Sequence, residues 1–171
     1  MPVSDKKEIV IKDACILFDL VDLNLLEDFF QLEAEAFTTS QVIGEITNEQ
    51  QWGAISKFIE NGKLQIDDDG TFEDITKINE VYPGLSLPDS SVLELAIRKK
   101  AIVYSADGSL RKASAKEGIT VRGVIWIVAR LHTLQFLTDE SAIAKLNMYE
   151  VINQRAPLKD IKNLISKIQN K

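Results

Sequence analysis

Four acidic residues stand where carboxylates can do chemistry. Asp13 follows the β-branched run Ile9-Val10-Ile11 and precedes apolar residues at helical spacing, Ile16, Leu17, Leu20 and Val21. Asp107 closes a second such run, Ile102-Val103-Tyr104. The carboxyl ends of parallel strands are the edge where open α/β sheets bind ligands. The same position suits a helix N-cap, a structural task Asp performs well. Asp89 falls near the middle of the stripe Val92, Leu93, Ala96, Ile97 at about 100° per residue. Glu45 sits at the border of the stripe Val42, Ile43, Ile46. Glu94 lies off its stripe, and Ser91-x-x-Glu94 matches a capping box. Burying one unpaired carboxylate is costly, so four together are tolerable mainly where cations bind. Oxygen-only ligation suits Mg²⁺ or Mn²⁺ and suits zinc poorly. With 1 His and 1 Cys, the chain has no zinc-type ligand set.

Strands alternating with helices position these acids. Beyond the first strand, helix is expected through Leu32, with Asp19 and Asp22 on its solvated face. A short strand follows near 34–38, then a helix capped by Thr39 or Ser40 and running through Ile46. A helix over Gln50–Asn61 turns Trp52, Ile55, Phe58 and Ile59 inward, and Gly62 stops it. Leu64–Ile66 reads as strand, Phe72–Val81 as helix and Tyr82–Pro88 as loop. Asp67-Asp68-Asp69-Gly70 has the composition of a calcium loop but neither its alternating spacing nor its closing Glu. Helix Asp89–Lys100, strand Ile102–Tyr104, a basic helix to Lys116 closed by Gly118, strand Ile119–Val121 and an apolar helix Gly123–Leu134 complete the series. Such alternation means βαβ units and a parallel sheet.

At 171 residues the chain has room for one well-buried domain. No stretch has the apolar length of a membrane span, and residues 1–7 lack a signal-peptide apolar core. The single Cys15 excludes an internal disulfide and fits a reducing cytosol, hence a cytoplasmic location. Far in sequence from His132, it reads as a small buried hydrophobe opening the first helix. Charge is uneven. Residues 1–97 hold 6 Lys/Arg against 20 Asp/Glu, a net −14, and residues 98–171 hold 14 against 6, a net +8. The basic half suits a polyanion if folding gathers it on one face; solvated helix faces explain it equally. No Gly-x-Gly-x-x-Gly follows a strand, which argues against a Rossmann cofactor site.

The acidic segments Ile9–Asp13, Ser40–Ile46, Leu87–Ala96 and Ile102–Asp107, with the step Val121-Arg122-Gly123, resemble in order and spacing the PIN-domain nucleases, over roughly residues 8–135. The resemblance implies a three-layer α/β/α fold with a central parallel sheet of four to five strands. It implies a metal-dependent ribonuclease in which Asp13, Glu45, Asp89 and Asp107 hold one or two Mg²⁺ or Mn²⁺ ions. The metal would activate a water for in-line attack on an RNA phosphodiester. Arg98, Lys99, Lys100, Arg111, Lys112 and Arg122 would contact flanking phosphates, and Ser105 would hydrogen-bond within the acidic site. Many such proteins are toxins of VapC type, paired with a small antitoxin and often homodimeric. One departure stands out. Ala14-Cys15 replaces the hydroxyl or amide residues that commonly follow the first Asp. A degenerate PIN-like module that binds RNA or protein without cutting is therefore the alternative. The family likeness is expected to end near 138, leaving residues 139–171 as a helical extension. In its second helix Leu158, Ile161, Leu164, Ile165 and Ile168 form a stripe that should pack on its own domain, a dimer mate or an antitoxin-like partner.

Overall fold

A computed structural model describes residues 9–11, 13–32 and 34–171. Residues 1–8, Lys12 and Glu33 lie outside these, so the reading of residues 1–7 falls beyond the described part. Among the described residues five strands form one parallel sheet: β1 (Ile9–Ile11), β2 (Ala36–Thr38), β3 (Leu64–Ile66), β4 (Ile102–Tyr104) and β5 (Val121–Arg122), in the order β3-β2-β1-β4-β5. Ile11 pairs with Tyr104, so β1 and β4 end side by side at the centre. The chain thus reverses its direction of winding beside β1, the kind of switch point where ligands bind in parallel sheets.

Alternation along the strands explains why there are three layers. Ala36, Ile102 and Tyr104 join one apolar cluster, while Phe37 and Val103 join a second on the opposite face. The first cluster is covered by α1 (Ala14–Asp22), α2 (Leu26–Phe30), α4 (Glu49–Glu60), α8 (Val124–Thr133), α9 (Asp139–Ile152) and α10 (Leu158–Gln169). The second is covered by α3 (Ser40–Ile43), α5 (Phe72–Val81), α6 (Leu87–Lys99) and α7 (Gly108–Lys116).

Several elements differ from the pattern read off the sequence. The first helical region breaks at Asn24, whose φ of +53° is left-handed, a conformation Asn tolerates better than most residues. Strand β2 begins at Ala36, and β5 starts two residues later than periodicity suggested. Helix α3 is a single turn that ends before Glu45. Trp52 is 42% exposed although Ile55 beneath it is buried. Asp19 is not surface: it is half-buried and accepts a hydrogen bond from Asn153 Nδ2 at 3.1 Å. Of the α10 stripe, Ile161 and Ile168 enter the first cluster, Leu164 and Ile165 pack against it, and Leu158 stays 47% exposed. Among the described residues no helix is long and apolar enough to cross a membrane.

Candidate active site

Each of the three aspartates singled out by sequence opens a helix. Asp13 caps α1, its Oδ1 accepting from the Ile16 amide at 3.2 Å, and is 4% exposed. Asp107 caps α7 in the same way, accepting from the Leu110 amide at 2.9 Å, and is half-buried. Buried Ser105 accepts the Asp107 amide on its Oγ at 2.9 Å, which fixes the backbone on which that carboxylate stands. Asp89, 5% exposed, occupies the third position of α6 in a capping box with Ser86. The Ser86 amide donates to Asp89 Oδ2 at 3.4 Å, and the Asp89 amide donates to Ser86 Oγ at 3.2 Å.

The capping box is therefore Ser86-x-x-Asp89 and not Ser91-x-x-Glu94. Ser91 is buried, and its hydroxyl donates to Pro88 O at 2.7 Å. With that proton committed, Thr39 must donate across the 2.8 Å contact to Ser91 Oγ, tying the cap of α3 to α6. Glu94 instead pairs with Arg98 at 2.9 Å. Glu45 stands exposed in the turn beyond α3, because that helix stops one turn earlier than its apolar spacing suggested.

A cleft of about 780 Å³ opens at the carboxyl edge of β1 and β4. Asp13, Asp107, Arg111 and Arg122 line it; Asp89 and Glu45 do not. Arg111 Nη2 reaches Ser105 O at 3.4 Å, and the Arg122 guanidinium lies 3.9 Å from the Trp126 ring centroid. Tyr104 is buried under this stack; burial pushes its phenol up to about 12 against the opposing pull of Arg122. Cys15, expected to be buried, is exposed and lines the cleft. It lies between Ala14 and Ile16 but off the Ile16, Leu17, Leu20 stripe, so the helix turns it outward.

The other proposed phosphate contacts lie elsewhere. Arg98 is held by Asp67 and Glu94, each at 2.9 Å, and Lys99 by Asp67 at 3.4 Å. Lys99 also lies 4.3 Å from the Phe37 ring centroid. Lys100 caps the far end of α6 with a left-handed φ of +52°, close to the beginnings of β4 and β5. That is the sheet edge opposite the cleft. Lys112 is exposed on α7 outside the lining.

Sequence reasoning missed the part of the lining that comes from the α9–α10 region: Tyr149, Asn153, Arg155, Pro157, Asp160 and Leu164. Only a short break rich in polar residues before Pro157 marked this segment in the sequence. Burial, then the nearby Asp19 carboxylate, pushes the Tyr149 phenol up to about 12.

Among the described residues no three Asp, Glu, His or Cys side chains stand close enough together to hold a metal ion by themselves. Three carboxylates line the cleft: those of Asp13 and Asp107 at the strand ends and that of the exposed Asp160 on α10. Mg²⁺ commonly takes only one or two carboxylates and completes its shell with waters and substrate phosphates. The oxygen-only pair Asp13 and Asp107, with two arginines in the same cleft, fits that looser mode and does not form an all-protein cage.

A parallel α/β/α fold with aspartates capping helices at the ends of its central strands defines the class. The chain belongs to the PIN-domain family: a family model described as a PIN domain matches residues 9–170. The match takes in α9 and α10. Over 96 residues the chain is 33% identical to Endoribonuclease Nob1 of Methanocaldococcus jannaschii, covering 54% of this chain and 47% of that protein. The matched chain thus spans about half the length of that relative. The fold is also similar to the crystal structure of PAE2754 from Pyrobaculum aerophilum, with a TM-score of 0.53 at 16% identity over 75% of this chain and 91% of that one.

Proposed function

We propose that this chain is a divalent-metal-dependent endoribonuclease that cuts single-stranded RNA in the cleft at the ends of β1 and β4. One observation carries the reading: Asp13 and Asp107 share that cleft with Arg111 and Arg122, which joins oxygen ligands to phosphate-binding cations. Family membership and the endoribonuclease relative support the reaction class. Asp13 and Asp107 would hold one Mg²⁺ or Mn²⁺, while Asp89, in the first turn of α6, and Glu45, in the turn after α3, stand outside the cleft lining. A bound ion supplies charge neutralisation and an acidified water. Arg111 and Arg122 would grip phosphates beside the scissile one, and the planar guanidinium suits this task. Ser105 would keep Asp107 in place through its amide. By resemblance to VapC-type proteins, a small antitoxin and a second copy of the chain are the proposed protein partners. The deciding experiment is cleavage of a labelled single-stranded RNA with Mg²⁺, with Mn²⁺ and with excess EDTA. Activity that requires either ion supports the reading, whereas none with either ion overturns it.

The second reading, an RNA-binding module that does not cut, is favoured by the absence of a three-carboxylate group among the described residues and by Ala14-Cys15. RNA binding without metal-dependent cleavage would select it.

A further inference from the structure

Arg155 is an exposed residue of the short connection between α9 and α10, and it lines the same cleft as Asp13 and Asp107. Its place is built. The Asn153 side chain works in two directions: Nδ2 donates to Asp19 Oδ2 on α1 at 3.1 Å, while Oδ1 accepts the Arg155 amide at 2.9 Å. The Ala156 amide closes the turn on Asn153 O at 3.0 Å, and the Ala156 side chain is buried. One amide side chain thus clamps this turn to α1, the helix that Asp13 opens. Nothing in the fold's core requires an arginine at this position. It lines the same cleft as Arg111 and Arg122, together with the Asp160 carboxylate of α10.

We infer that the α9–α10 turn is a substrate-binding element, and that Arg155 contacts a phosphate of the RNA strand that Arg111 and Arg122 also hold. The inference rests on the reading that RNA occupies this cleft. A strand gripped at several phosphates is held in the cleft without any need for base recognition. Three arginines around one groove favour a flexible single strand, whose phosphates can turn to both sides. A rigid duplex presents its phosphates on a fixed outer surface.

Binding is measured without chemistry. A fluorescein-labelled single-stranded RNA is titrated with the full chain in EDTA at several salt concentrations, and alkylation of Cys15 reports whether the cleft is covered. The expected result is protection of Cys15 by RNA in the wild type. Arg155→Ala should weaken binding by about fivefold, the scale of one exposed charge contact. It should also reduce the slope of log affinity against log salt by about 0.7, one phosphate on a single strand. Arg155→Lys should recover most of the slope. Lys159→Ala removes the same charge from an exposed position outside the cleft lining and should change neither quantity. Unchanged affinity and slope in Arg155→Ala, with Arg122→Ala weakened and Cys15 still protected, would overturn the role of the turn and leave the cleft reading intact. RNA that fails to bind or to protect Cys15 in the wild type would overturn both.

Discussion

Asp13, Asp89 and Asp107 each close a helix start, so a carboxylate-removing variant must separate chemistry from capping. Asn caps a helix about as well as Asp. Asp13→Asn and Asp107→Asn should therefore keep the fold while losing the anionic oxygen. Glu94→Gln is the complementary control. Its partner Arg98 keeps Asp67 at 2.9 Å, so stability should fall by less than about 1 kcal/mol and RNA cleavage should be unchanged. Loss of cleavage in this variant would place Glu94 in the site. Asp19 offers a pH test. Burial pushes its carboxyl above the usual value of 3.8, the Asn153 hydrogen bond only partly opposing this. The folded chain then holds the proton more tightly than the unfolded chain does. Stability is lost as pH rises from 3.8 through the folded value, and the penalty is fully present at neutral pH. Asp19→Asn should raise the melting temperature at pH 7, with a gain that shrinks as pH falls towards 3. A gain independent of pH would show that the buried charge is not its source.

At the scale of elements, α10 completes a core that the sheet and first helices leave open. Ile161 is fully buried and Ile168 is 3% exposed. Ile161→Ala should cost about 2–5 kcal/mol by urea titration, as for other buried aliphatic truncations. Deleting 156–171 should lower the melting temperature sharply or cause aggregation; an unchanged melting curve would mean that the helix is not docked. The period-3.6 stripe in α10 was legible because five aliphatic residues repeat without interruption. The start of α6 was not. Ser86-x-x-Asp89 and Ser91-x-x-Glu94 have the same spacing, and only Pro88, a residue suited to a first helical turn, favours the earlier start. Glu45 was misplaced for a related reason: apolar spacing continues through Ile46, but the helix ends three residues earlier, at Ile43, with Gly44 as its cap.

Across the whole molecule, the sheet order follows from buried strands that alternate with helices, and that alternation is written locally. The cleft is not. Its lining runs from Asp13 to Leu164, and the clamp between Asp19 and Asn153 joins residues 134 apart with no local pattern in common. Asp13 and Asp107 were found because the edge of a parallel sheet is a rule of topology. Arg155 was missed because nothing near it in sequence shows which surface it will face. The charge asymmetry between halves likewise resolves only on folding. Arg98 and Lys99 are neutralised by Asp67 and Glu94, whereas Arg111, Arg122 and Arg155 converge on the cleft.

The cleft chemistry is tested by the rate of Mn²⁺-dependent cleavage of a single-stranded RNA by the wild-type chain and by Asp107→Asn, with RNA affinity and melting temperature measured on the same samples. A metal-dependent nuclease built on this cleft predicts cleavage by the wild type. In Asp107→Asn it predicts a loss of at least about a hundredfold in rate, the scale of removing one charge-stabilising group, while RNA affinity and fold are retained. Asp107→Asn cleaving at the wild-type rate, with its fold intact, would contradict it.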